Sequence, residues 1–202
     1  MKKLDSTLPN MVMSLVGICV VVSAILAYLN NVTAAPIKEA QVQAKIAAIK
    51  QVTPAFDNNP YEEAYKVAVA EGDSLLVYPA KKGGAIVGYA IETNTKNGFN
   101  GLIEVMMGLD AAGKMVDYSV LTMSETPGLG TKIPEWFHSK SKNAGNIQDM
   151  RGVDLAQEAP LKVSKDGGKV DAITAATISS RAFLESINRG YEAYKVANAN
   201  KQ

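Results

Sequence analysis

The sequence predicts an α+β protein: a single N-terminal transmembrane helix followed by an extracytoplasmic domain in which helices pack on an antiparallel sheet. Three observations predict it. Charge is absent from Ser6 to Ala35, and inside that gap Leu8 to Leu29 is almost wholly apolar. From Ser74 onward the pattern changes to short apolar runs separated by glycine-bearing turns, the signature of successive β-strands. The chain then closes on Phe183, Ile187, Tyr191 and Tyr194 at helical spacing. With 202 residues, 47% hydrophobic, and 21 basic against 20 acidic side chains, it suits one span plus one domain with a sizeable core. The formal charge of +1 gives no nucleic-acid signal. The expected divisions are residues 1–7 as a cytoplasmic N-terminus, 8–29 as the membrane helix, 30–53 as a helical spacer and 54–202 as the outer domain.

At about 1.5 Å per residue, Leu8 to Leu29 is long enough to cross a ~30 Å hydrocarbon core. Lys2 and Lys3 precede it, and the far side carries only Asn30 and Asn31 before Lys38, so the positive-inside rule places the N-terminus in the cytoplasm. Thr33-Ala34-Ala35 imitates a signal-peptidase site, but the apolar run exceeds the ~7 to 15 residues of a signal-peptide core, which argues for retention. The single cysteine, Cys19, falls inside the span, so the outer domain has no disulfide, cysteine-based metal cluster or catalytic thiol.

Beyond the span, Pro36 to Val52 reads as a helical extension with Val42, Ile46 and Ile49 at helical spacing. Pro54 interrupts it, and Pro60-Tyr61-Glu62-Glu63 reads as the start of a short helix ending near Gly72. Leu75 to Tyr78, a Lys81 to Gly84 turn and Ala85 to Thr95 form a hairpin. Asn97 to Gly101 turns into Leu102 to Leu109, and Asp110 to Gly113 turns into Met115 to Met123. Ser124 to Lys132 is the loop leaving this meander, with Pro127, Gly128 and Gly130 setting its backbone. Pro134 to Asn143 reads as a short helix carrying Trp136 and Phe137 into the core. His138, the sole histidine, has no second ligand beside it and is a poor metal candidate. Leu161 to Ser164 and Lys169 to Ile173 read as a second hairpin, leading into a final helix from Ile178 to Val196 with Arg181, Glu185, Arg189 and Lys195 facing water.

The most informative stretch is Asp171-Ala172-Ile173-Thr174-Ala175-Ala176-Thr177. Small residues between two threonines let another group approach the backbone, and a helix N-terminus offers free N–H donors and a positive dipole end to an anion such as phosphate. On spacing alone, the favoured reading is the simpler one, that Thr174 or Thr177 is an N-cap ahead of helix-favouring alanines. The chain contains no Ser/His/Asp triad, carboxylate pair or dinucleotide glycine fingerprint, so any reactivity must come from a cofactor.

This stretch resembles the Asp-x-x-(Ser/Thr)-Gly-Ala-Thr signature of FMN-binding domains in which flavin is esterified through its phosphate to the last threonine, here Thr177. Ser124-Glu125-Thr126-Pro127-Gly128-Leu129-Gly130 resembles the Glu-Thr-Pro-Gly-Leu-Gly segment of the same family, and the region from Gly98 to Asp110 is similar to its Gly-Phe-x-Gly strand. The order and separation of the motifs resemble those of the G subunit of the Rnf electron-transport complex, a relative of the C subunit of the sodium-pumping NADH:quinone oxidoreductase. Ala175 departs from the family pattern, which has glycine there. The resemblance implies covalent FMN on Thr177, with Thr174, Ala175, Ala176, Glu125, Thr126, Leu129 and Gly130 around it, and no catalytic or metal-binding residue on the chain itself. It further implies an inner-membrane electron-transfer subunit of an ion-translocating ferredoxin:NAD oxidoreductase. Its partners would be the integral membrane and redox subunits of that complex, a flavin transferase and the lipid bilayer. The competing readings are the covalent-FMN component of a sodium-pumping NADH:quinone oxidoreductase and a flavin-free, membrane-tethered assembly subunit.

Overall fold

One unbroken helix, α1 (Leu8–Val52), runs through both the expected span and the expected spacer. The structure is a computed structural model that describes residues 7–69 and 72–199, so Lys2 and Lys3 lie outside the described residues. The chain divides into two compact units between Gln43 and Ala44. In the first unit, apolar side chains such as Leu15, Val16, Val20, Val21 and Leu26 are exposed all round the helix. By length and composition it can cross a membrane. Ser14 and Thr33 donate their hydroxyls to the Asn10 and Leu29 carbonyls, both at 2.8 Å, satisfying themselves within the helix. Pro36 sits inside α1 without ending it, at the loss of one i→i−4 hydrogen bond.

The second unit starts at Ala44, upstream of the expected boundary at residue 54. Ala48, Ile49 and Val52, in the last turns of α1, are buried with Tyr78, Ala90 and Met106 in one apolar cluster. Lys45 supports the same packing through an ion pair with Glu92 at 2.7 Å. Gly108 permits the close approach: a Cβ there would sit 1.7 Å from the Val52 carbonyl oxygen.

The body of this unit is a five-stranded antiparallel meander in sequential order: β1 (Tyr65–Ala68), β2 (Ser74–Lys82), β3 (Ala85–Gly98), β4 (Gly101–Asp110) and β5 (Met115–Met123). The glycine-bearing turns lie where the sequence puts them. The helix expected from Pro60 does not form; a turn at residues 60–63 leads into β1 instead. Its reason is pairing: Tyr65 and Val67 lie opposite Val77 and Leu75, and Val67 enters the core.

The other face of the sheet carries Val77, Tyr89, Ile91, Ile103, Val105 and Met107, covered by α4 (Thr177–Ala199) through Phe183, Ile187 and Tyr194. Gly190 lets this helix lie close, because a Cβ would fall 2.1 Å from the Met107 sulfur. Between β5 and α4 the chain is mostly irregular, with α2 (Ile133–Trp136) and α3 (Leu155–Glu158) as single turns. The expected helix at 134–143 therefore stops at Trp136, whose indole N–H donates to the Asp171 carbonyl at 2.8 Å. Phe137 stacks on Phe183 with centroids 4.6 Å apart.

The expected second hairpin is absent among the described residues. Val170 instead makes isolated parallel bridges to both Val163 and Ile147. The 169–171 backbone is shared between two neighbours: Val170 N–H donates to Lys162, Ile147 N–H donates to Lys169, and Asp171 N–H donates to Ile147. No two-strand ladder can then extend.

Candidate functional site

The approach to α4 is a tight wrap. Ala176 N–H donates to the Ile173 carbonyl at 3.0 Å, Ile173 N–H to the Ser180 hydroxyl at 2.9 Å, and that hydroxyl donates back to the Ala176 carbonyl at 3.0 Å. The wrap forces Ala175 to φ +61°, the only described non-glycine residue with a left-handed backbone. Thr177 is then the first residue of α4, where the opening turn leaves amides without helical partners and adds a positive dipole end. Its side chain is half-buried, whereas Thr174 is exposed.

The facing wall is the loop after β5. Glu125 is 4% exposed, and its carboxylate accepts from the Ser179 hydroxyl and from the Asn100 N–H at 3.2 Å. Two glycines make room for it: a Cβ on Gly98 or on Gly130 would stand 2.5 Å from one of its oxygens. The pair thus ties this loop to α4 two residues beyond Thr177. Gly128, at φ +76°, turns the loop and donates its N–H to Thr131 Oγ1 at 2.9 Å.

These walls enclose a pocket of about 280 Å³ lined by Phe99, Thr126, Leu129, Gly130, Ala175, Ala176, Thr177, Ile178 and Ser179. Six residues expected from the sequence, Thr126, Leu129, Gly130, Ala175, Ala176 and Thr177, meet there. Two do not line it: Thr174 points to solvent, and Glu125 stands behind the wall, bonded to Ser179. Phe99, Ile178 and Ser179 complete the lining; Phe99 is the aromatic residue of the Gly-Phe-x-Gly segment, in the turn between β3 and β4, and the other two directly follow Thr177.

Thr177 also meets a cation that is not part of the pocket lining. Lys165 Nζ donates to Thr177 Oγ1 at 3.4 Å. Lys165 belongs to a 3-10 turn (Ser164–Asp166) fixed by Gly167 at φ +80° and by a bidentate pair from Arg181 to Asp166, both contacts 2.7 Å. The Arg181 guanidinium holds the Asp166 carboxyl below the usual carboxylate range. Arg181 is therefore engaged with Asp166, and Lys169 pairs with Glu158 at 2.9 Å. Asp171 anchors the segment from behind: burial raises its pKa, but hydrogen bonds from Ser141, Asn146, Asn143 and Ser164 outweigh that and hold it low. His138 lies apart, stacked on Tyr118 at 4.3 Å and bonded to Asp117 at 2.6 Å.

This arrangement suits a cofactor with a phosphate and an apolar ring system. The hydroxyl, the amides of the first helical turn and the ammonium fit an anion, while Phe99, Leu129 and Ile178 offer apolar surface. Small-molecule sites typically run ~300–1,000 Å³, so a 280 Å³ pocket encloses only part of a nucleotide-sized ligand. The exposure of Phe99, Leu129 and Ile178, at 62%, 37% and 48%, leaves the remainder open to a neighbour.

The sequence profile of the FMN-binding domain matches residues 98–192, a span that contains every residue lining the pocket. The G subunit of the ion-translocating oxidoreductase complex of Stutzerimonas stutzeri is 34% identical over 185 residues, covering 89% of this chain and 78% of the relative. The Cereibacter sphaeroides protein of the same name is 35% identical, covering 87% and 80%. The G subunit of the Na(+)-translocating ferredoxin:NAD(+) oxidoreductase complex of Acetobacterium woodii is 30% identical over 190 residues, covering 88% and 87%.

Proposed function

Since the chain belongs to the G-subunit family of ion-translocating oxidoreductase complexes, we propose that it is the electron-transfer subunit of a ferredoxin:NAD oxidoreductase complex, carrying FMN as a phosphoester on Thr177. The observation that carries this reading is the position of Thr177: first residue of α4, on the pocket wall, with Lys165 against its hydroxyl. Bound FMN supplies one- and two-electron redox chemistry. The chain's own residues hold it. Thr177 provides the ester oxygen, and the first-turn amides of α4 face the phosphate charge. Phe99, Leu129 and Ile178 cover apolar ring surface, and Glu125, through Ser179, fixes the distance between the two walls. A covalent tether also suits a compartment where free FMN is scarce, because mass action would empty a reversible site.

In this reading α1 anchors the protein in the inner membrane with the N-terminus in the cytoplasm, as Lys2 and Lys3 argue, and with the FMN domain outside. The integral membrane and redox subunits of the complex are then its partners, and a flavin transferase its maturation enzyme. Peptide mapping of native protein made beside a competent transferase tests the assignment. FMN should map to the peptide containing Thr177, and Thr177→Val should lose the adduct while the domain keeps its thermal transition. FMN on another residue, or none on the native chain, overturns it.

A further inference from the structure

Two other cations close to Thr177 in the sequence are committed elsewhere: Arg181 is held bidentately by Asp166, and Lys169 by Glu158. Among the described residues, the one side chain hydrogen-bonded to the Thr177 hydroxyl is Lys165, twelve positions upstream and outside the pocket lining. We propose that Lys165 is the positioning residue for the phosphate of the Thr177 ester, and that the Arg181–Asp166 pair is the clamp that delivers it. The proposal rests on the reading of Thr177 as the attachment point.

The physical argument starts from the turn. Lys165 is a long, flexible cation, and left free it would spend most of its time in solvent. Its backbone is not free. Asp166 N–H and Gly168 N–H both donate to the Val163 carbonyl, at 2.9 and 3.1 Å, and Ser164 Oγ donates to the Val170 carbonyl at 2.9 Å. Gly168 has no alternative residue there, because a Cβ would lie 2.1 Å from the Lys162 carbonyl oxygen. Arg181, one helical turn beyond Thr177, then grips Asp166, the residue next to Lys165. Turn and helix are locked in register, so the ammonium and the threonine hydroxyl meet without either segment being ordered afresh.

A phosphodiester at Oγ1 keeps one negative charge, carried on oxygens two bonds from the atom that Lys165 already touches. A bond between an ammonium and an anionic phosphate oxygen is stronger than the ammonium–hydroxyl contact it replaces. Because the site is exposed, solvent and salt limit the gain, so the effect should be a few-fold one.

The test uses the full chain expressed with a flavin transferase, in four forms: native, Lys165→Gln, Lys165→Arg and Asp166→Asn. Tryptic mapping of the native form first establishes the phosphoester at Thr177; its absence there defeats the attachment reading, whatever the variants do. With the ester in place, the deciding measurement is the 31P resonance of the phosphoester and its response to added salt. Native and Lys165→Arg should share a salt-sensitive resonance. In Lys165→Gln the line should move and lose most of that sensitivity, while flavin incorporation at a fixed early time falls about fivefold or less, as expected for an exposed pair. Asp166→Asn should fall between. An unmoved resonance in Lys165→Gln overturns the proposal, even if incorporation drops, because the lysine would then serve only the transferase.

Discussion

Ala175 carries the most strained backbone of the site. A Cβ in the left-handed region costs roughly 1–2 kcal/mol, which explains why the resembling family has glycine at this position. Ala175 lines the pocket. Ala175→Gly should stabilise the domain by about 1 kcal/mol, the relief of strain being partly offset by glycine's freedom in the unfolded chain. A rise in the urea midpoint at unchanged slope checks it, and a fall would show that the methyl's contacts outweigh the strain. No linear pattern announces the positive φ, because alanine is an ordinary helix former and the angle is imposed by bonds between Ile173 and Ser180. Glu125 was illegible for a related reason: its carboxylate is satisfied by Ser179 and Asn100, far apart in sequence, so its place behind the wall follows from burial chemistry.

At the scale of elements, β2 to β5 were legible because glycine-bearing turns punctuate period-two runs. β1 was not, since four residues are too few to separate helical from strand periodicity, and Pro60 with two glutamates imitates a helix start. The irregular stretch from Ser139 to Asp171 was equally opaque, for it is held by side-chain bonds. Asp171 joins it together, accepting from Ser141, Asn143, Asn146 and Ser164. Because its carboxyl titrates below the usual range, these bonds stabilise the fold above the ordinary aspartate pKa of about 3.9 and are lost as pH falls through the lower folded value. Thermal stability should therefore fall below pH ~4. Asp171→Asn should lower stability at neutral pH by about 1 kcal/mol, the loss of charge-assisted bonds from half-buried and exposed donors, and flatten part of that acid limb. An acid limb as steep as native would place the titration elsewhere.

For the whole molecule, the decisive residues are those shared between α1 and the sheet. Ala48, Ile49 and Val52 belong to a helix that the sequence presents as a spacer, yet they form part of the domain's second apolar cluster. A chain starting at Ala44 should fold like the full protein. One starting at Pro54 leaves Tyr78, Ala90 and Met106 uncovered and should lose about 4 kcal/mol, the burial of an isoleucine, a valine and an alanine. Urea titration of the two fragments decides it, equal midpoints showing that the helix end is dispensable. The pocket itself has a place in time as well as space. The meander needs only nearest-neighbour pairing and can zip up as it emerges, whereas one wall of the pocket waits for Ala175 to Ser179 and for α4 to settle on the sheet. An unfinished chain offers a strand platform with no complete cradle, so loading of the proposed cofactor would act as a receipt that translation and folding are both complete.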